Sequence, residues 1–509
     1  MRRKGFAKLA GTALVIAMVT GCSSQSNPGS AATDKTAVSS KPAEAVTLKM
    51  MTSNHPTWPY NKNWQVYKYL KEKSNVTLDV ETPPNDYETA ISLAVSSGDM
   101  PDFLVVPSTQ VANKYGNQGA LVNIWDYLKK MPNYEAFLNS NPDVKQSVMS
   151  ADGKSYFFPM AGLEKRSRIS WVYRDDVFKK NNLTPPTSYD ELYETAKKLK
   201  ALYPSSYPIA FFDKLSSITN IASNFGTMNT QYYDFDKKEW RFGPIEDSYK
   251  EMIGYINKFY SEGLIPPDFM AMTQKQYVDL FAQNKAFLAA NYIGNVDEIP
   301  AQVKSVVPEL SLSFMAPPKG GANGVQKNPF SAYLPNGFAI ASTTKHLDET
   351  LKYIDFLYSP EGIQTASWGK ENETFNFVNG QKQLKPDYKS LTDLRIQSGI
   401  ATVGSYTVLD VNAYWPLDSS NLQEGYKQLG NFETKSQPRI AFTDKELEVI
   451  STVGQSVNKY RDEQISKFIL GQKKMTEWND YVAEMNKLGV QKVLDVYKAA
   501  YDRALSFQK

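Results

Sequence analysis

Val46-Thr47-Leu48-Lys49-Met50, Val76-Thr77-Leu78-Asp79-Val80 and Asp102-Phe103-Leu104-Val105-Val106 are three short runs of β-branched and apolar residues, and the segments between them carry a helical period. From Asn63 to Lys73, Trp64, Tyr67 and Leu70 fall on one side of a helix. Tyr87, Ile91 and Ala94 mark a second helix, and Gly98-Asp99-Met100-Pro101 is the turn that feeds the third strand. Strand, helix, strand, helix, strand predicts an α/β lobe.

A second series follows. Ala151-Asp152-Gly153-Lys154 reads as a hairpin turn feeding Ser155 to Pro159, and Ile169-Ser170-Trp171-Val172-Tyr173 as a strand. Ser188-Tyr189-Asp190-Glu191 has the spacing of a capping box that opens a helix toward Leu199. Another helix is predicted from Asp247 to Tyr260, then an apolar run from Ala286 to Ile293. Leu334 to Ala341 reads as a strand returning toward the first lobe, with a helix around Thr350 to Tyr358 behind it. Roughly 460 residues are too many for one ordinary core. The expectation is a first lobe at residues 46–165, a second at 166–333, a return through the hinge at 334–414, and a C-terminal helical region at 415–509 that completes the lobes.

The chain opens on Arg2, Arg3 and Lys4, runs through an apolar stretch from Leu9 to Val19, and reads Val19-Thr20-Gly21-Cys22 before turning polar. A cationic start, an apolar segment short for a membrane span, and small residues before a cysteine describe an export signal over residues 1–21. The segment resembles the bacterial lipobox, which implies cleavage before Cys22, acylation of its thiol, and a mature protein tethered outside the cytoplasmic membrane. Val19-Thr20 departs from the commoner Leu-Ala or Leu-Ser pair. Cys22 is the only cysteine of the chain, so an intramolecular disulfide is excluded. Residues 22–45 are rich in Ser, Ala, Thr, Asn, Gly and Pro and read as the tether. Lys plus Arg number 57 against 54 Asp plus Glu, and Arg2, Arg3, Lys4 and Lys8 leave with the signal. The exported body is therefore near neutral and gives no electrostatic argument for nucleic acid.

Several short motifs recur here in the order of a known pattern. They are Val76-Thr77-Leu78, Gly98-Asp99-Met100-Pro101-Asp102, Ala151-Asp152-Gly153-Lys154-Ser155-Tyr156, Tyr173-Arg174-Asp175-Asp176 with Pro186-Thr187, and Pro335-Asn336-Gly337-Phe338-Ala339-Ile340. Together with the lipobox they resemble the extracellular solute-binding proteins of the long sugar-binding type, the lipoprotein receptors of ABC importers. The resemblance implies a two-lobed periplasmic-binding fold with several interlobe crossings, closing over an oligosaccharide and presenting it to a membrane permease. It implies no catalysis and no cofactor, and the body is expected to act as a monomer. Some relatives carry an acidic calcium loop in the second lobe, but the corresponding Lys200-Ala201-Leu202-Tyr203-Pro204-Ser205-Ser206-Tyr207 has no carboxylate. The nearest acidic spacing, Asp234-x-Asp236-x-x-Glu239, is short of a calcium loop and reads as a polar turn before Trp240.

Candidate ligand contacts follow from aromatic residues at strand ends. The chain holds 8 Trp, 31 Tyr and 25 Phe, and flat rings suit the apolar faces of sugars. His55-Pro56-Thr57-Trp58-Pro59-Tyr60 follows the first strand, where ligands of open α/β folds gather, making Trp58 and Tyr60 candidates. Trp171 and Tyr173 share one strand face, so Trp171 either packs the second-lobe core or reaches the cleft. Arg166 and Arg168 enter that strand and could hold an acidic sugar or pair with carboxylates. Tyr292 and Asn295 flank another strand-end turn, and Trp368 and Trp415 lie beyond the crossovers, with core or interlobe packing as their alternative. Two other functions stay open: a surface receptor for peptide or another polymer, and a polysaccharide-active enzyme. The second needs two correctly spaced carboxylates, and Asp175-Asp176, taken as strand neighbours, point apart. No Gly-x-Ser-x-Gly segment supports an esterase.

Overall fold

The three opening strands form as β1 (Val46–Met51), β2 (Val76–Glu81) and β3 (Phe103–Val106), followed by β4 (Phe158–Pro159). Next come β5 (Ile169–Arg174), β6 (Ile209–Ala210), β7 (Gln231–Asp234), β8 (Glu239–Phe242), β9 (Leu288–Tyr292), β10 (Leu312–Met315) and β11 (Gly337–Ile340). This computed structural model describes residues 45–507 except 85, 212–214 and 333–334, so the signal, Cys22 and nearly all of the tether lie outside the described residues.

Two mixed sheets result, ordered β2-β1-β3-β11-β4 and β10-β5-β9-β6. Helices Gln65–Ser74 and Tyr87–Ser97 carry the chain back over the first sheet, so β1 pairs parallel with both β2 and β3. The returning strand β11 then inserts antiparallel between β3 and β4. Alternation sends Phe103 and Val105 of β3, with Phe338 and Ile340 of β11, to one face of the sheet. Leu104 and Val106, with Ala339, go to the other. Both faces are covered, which is why these strands read as unbroken apolar runs.

The second sheet repeats the arrangement. Trp171 of β5, Leu288 and Ala290 of β9 and Met315 of β10 pack one face, while Val172, Ala289 and Leu312 pack the opposite one. The helix Tyr189–Leu202 starts as expected, with the Ser188 side chain accepting from the Glu191 N–H. Glu191 does not complete the box: its carboxylate accepts instead from the Thr187 N–H and hydroxyl. Asp175 and Asp176 are not strand neighbours either. They open the helix Asp175–Lys180, where carboxylates suit the N-terminus, and are engaged by Lys179 and Arg174.

The chain passes between the sheets after β4, again before β11, and a third time after Ala413. At the first passage Ala161 forms a parallel bridge with Val408. Gly162 there has φ 110°, and a Cβ would sit 2.6 Å from the Leu409 carbonyl oxygen, so glycine is required by conformation and by contact. After the third passage, Leu422 and Leu429 of helix Ser420–Leu429 enter the second-lobe core. Helices Gln455–Ile469, Trp478–Leu488 and Val490–Ser506 add Phe468, Trp478 and Tyr481 to its other face.

Candidate ligand-binding site

The crossings place two chambers end to end between the lobes, one of about 220 Å3 and one of about 320 Å3. Leu163 and Arg395 line both, making them one cleft. Thr52, His55, Trp58, Tyr60 and Tyr67 line the first-lobe end. Arg166, Tyr292, Glu298, Asp418 and Tyr426 line the second.

At the first-lobe end the chain leaving β1 folds over the helix that follows. The Asn54 side chain accepts from the Tyr60 N–H at 2.8 Å, and Tyr60 meets Trp64 and Tyr67 edge-on with centroids 5.9 and 5.7 Å apart. Trp58 is half-buried, and the His55 imidazole stacks on it at 3.5 Å with the planes 3° apart. The Arg395 guanidinium lies 4.6 Å from the Trp58 ring centroid. Burial and then the Arg395 charge hold the His55 imidazole below its ordinary pKa. The hydroxyls of Thr52 and Tyr67 are buried without a protein partner among the described residues. Each is a group that a hydroxyl-bearing ligand can satisfy.

The second-lobe end is charged. Arg166 donates two hydrogen bonds to Asp418 and lies against the rings of Trp415 and Tyr426, 4.9 and 5.4 Å from their centroids. Burial raises the Asp418 pKa even though Arg166 pulls it down. Glu298 has no ion-pair partner among the described residues, and desolvation inside the cleft raises its pKa.

Of the sequence candidates, Trp58, Tyr60 and Tyr292 line the cleft, with Tyr292 53% exposed. Trp171 does not. It pairs with Ala290 and Met315 in mid-strand, is fully buried in the second-lobe core, and donates from Nε1 to the Asn224 side chain at 2.9 Å. The cleft end of β5 is two residues away, at Ile169 opposite Tyr292. Trp368 is also a core residue: it ends helix Pro360–Trp368, packs edge-on to Phe375, and donates to Asp410. Asn295 is buried and bonded to the Tyr277 hydroxyl. Arg168 is locked to Glu433 and lies over Phe330, and Trp415 wedges behind Arg166 in the third crossing. The Asp234–Glu239 turn is the tip of the β7–β8 hairpin, with Asp234 accepting from the Asp236 and Lys237 N–H groups and from Arg241. Among the described residues no cluster of acids, His or Cys is placed to hold a metal.

Arg395, Glu298, Tyr67 and Thr52 were not singled out from sequence. Thr52 directly follows β1 and Tyr67 lies on the next helix, but what brings Arg395 and Glu298 to them is chain passages hundreds of residues apart.

Residues 64–377 match the family model of the bacterial extracellular solute-binding proteins. The fructooligosaccharide ABC transporter substrate-binding protein FusA of Streptococcus pneumoniae is 23% identical over 498 residues, covering 90% of this chain and 91% of its own. The polygalacturonan/rhamnogalacturonan-binding protein YtcQ of Bacillus subtilis is 23% identical over 472 residues, with 86% and 88% covered. Among solved structures, the alginate-binding protein AlgQ2 without calcium superposes with a TM-score of 0.73 at 21% identity, over 90% of this chain and 98% of its own. A solute-binding protein of Bifidobacterium longum infantis described as binding HMO gives 0.74 at 17% identity, over 91% and 99%. The structural likeness speaks to the fold.

Proposed function

Because the chain belongs to the bacterial extracellular solute-binding proteins, we propose that it is the receptor of an ABC-type importer and that its cargo is an oligosaccharide held between the lobes. The observation that carries this reading is the continuous interlobe cleft, with aromatic rings and the unpartnered Thr52 and Tyr67 hydroxyls on the first-lobe wall and Tyr292 and Glu298 on the second. Flat rings take the apolar face of a pyranose or furanose, and unpartnered hydroxyls and charged groups take its hydroxyls. A ligand touching both walls favours the closed arrangement, because only differential contact shifts a two-state equilibrium. Relatives named for fructooligosaccharides and for polygalacturonan support a sugar cargo over a peptide. The protein binds and hands over its ligand without chemistry, and the permease and ATPase are partner chains.

The first lobe is assigned to residues 46–165 with the return at 334–414, and the second to 166–333 with most of 415–509. The signal is removed before Cys22, whose acylated thiol holds the protein on the extracytoplasmic face of the membrane. Cys22→Ser is expected to release the protein into the medium and abolish incorporation of labelled palmitate. A variant that stays membrane-bound would refute the anchor.

The compact body Ala45–Lys509 offers the direct test. Ligand at about 100 times its Kd adds about 2.7 kcal/mol of stability, which reads as a clear rise in Tm. A shift with oligosaccharides and none with peptides is expected. Peptide-only stabilisation would move the assignment to a peptide receptor, and new reducing ends in the incubated sugar would make it an enzyme.

A further inference from the structure

Three arginines stand at or beside the cleft, and the chain neutralises two of them itself. Arg166 has Asp418, and Arg168 has Glu433, each pair largely shielded from solvent. Arg395 is the exception, with no carboxylate at ion-pair distance among the described residues.

Nor is it a free surface side chain. Its helix, Leu391–Ser398, is capped by Ser390 at the start and by Gly399 at the end, where the Gly399 N–H bonds back to the Arg395 carbonyl. The Nε group donates to the Ala401 carbonyl at 3.1 Å, and the guanidinium carbon lies 4.6 Å from the Trp58 ring centroid. These contacts fix the group and leave both Nη nitrogens without a hydrogen-bond partner among the described residues. Desolvation, with a smaller contribution from Arg166, holds its pKa below the ordinary arginine value.

A held, partly dehydrated guanidinium that Glu298 reaches only through space, with no contact ion pair, is costly unless an anion completes it. Its free edge has the planar two-pronged geometry that matches a carboxylate. On the opposite wall Asp297 accepts from Ser419, and Glu298, which makes no ion pair among the described residues, repels an anion from the second lobe and can accept hydroxyls.

Resting on the oligosaccharide reading, we infer that the cargo is a uronic-acid-containing oligosaccharide, oriented with a carboxylate on the Arg395 Nη groups and hydroxyls toward Glu298. Arg395 is then the residue that sets acidic against neutral specificity.

Isothermal titration of the body with trigalacturonate, trimannuronate, their methyl esters, and neutral cellotriose and kestose tests this. A uronate is expected to bind at least tenfold tighter than its own ester, with affinity falling as salt rises. Arg395→Gln is expected to abolish that preference, costing the uronate at least tenfold more affinity than its own ester. Arg395→Lys keeps the charge but not the fork, and is expected to fall between; its Tm, like that of Arg395→Gln, should match the parent. Equal affinity for acid and ester, equal loss of both in Arg395→Gln, or binding of neutral sugars alone would each overturn the inference and leave the oligosaccharide reading standing. Failure of every sugar would overturn both.

Discussion

Trp58→Ala is expected to weaken oligosaccharide binding by about 2 kcal/mol, roughly 30-fold, while changing stability by about 1 kcal/mol or less. The split follows from where the indole sits. It is half-buried at the edge of the first-lobe core, so its removal opens no deep cavity, and its Arg395 contact is of the modest kind that a partly exposed cation and ring make. For binding, it is the broad flat surface of that chamber. In the free protein the His55 imidazole covers one face of the ring, so a sugar that takes that face must displace it. His55→Ala should therefore act in the opposite direction, tightening binding roughly two- to tenfold by removing a stacked pair of the usual 0.5–1.5 kcal/mol. Titration of both variants with one sugar checks the pair. Unchanged affinity in Trp58→Ala would remove the indole from the contact surface, and weaker binding in His55→Ala would make the imidazole a ligand contact rather than a cover.

The same residues show what the sequence could carry. Local patterns were enough for β1 to β3 and the helices between them, because each is written in consecutive residues with its own period. Patterns also placed Trp58, Tyr60 and Tyr292 at strand ends, since a cleft beyond strand ends is a property of open α/β sheets. They could not separate Trp171 from these. Alternation tells which residues share a face, but a strand covered on both sides sends either face into a core, and only depth along the strand distinguishes core from cleft. Trp368 failed for a related reason: the end of a helix near a crossing looks accessible until the hairpin at 375–384 and Asp410 close over it. Arg395 is illegible for a stronger reason. Its helix has little amphipathic bias, and it meets Trp58 only because the chain visits the second lobe and comes back. Nothing local to Leu391–Ser398 records that return. The functional cation is thus carried on the late segment, while the platform it holds belongs to the early one, and the cleft is complete only once the whole chain has crossed.

Trp171→Ala is expected to destabilise the second lobe by about 3–5 kcal/mol, the largest stability loss of any substitution considered. Trp171 is fully buried between the strand ladder and a layer of aromatic residues, edge-on to Tyr189 at 6.2 Å, and the side chain lies at the centre of β5 with neighbours on both sides. Truncation leaves a cavity that strands paired on both edges cannot collapse to fill. The Asn224 side-chain oxygen keeps a second donor in the Tyr189 hydroxyl, so the lost hydrogen bond adds less than the lost volume. Trp171→Phe separates the two contributions: most of the packing is retained, and a cost of about 1–3 kcal/mol is expected from the smaller ring and the missing N–H. Because the alanine variant risks unfolding the lobe before any sugar is added, the phenylalanine variant carries the functional comparison. It should bind oligosaccharide with the parental affinity at a temperature where both are folded, while melting earlier. Reduced affinity with an unchanged Tm would return Trp171 to the cleft, for a ring that contributes through packing alone has no means of weakening the ligand without first loosening the lobe.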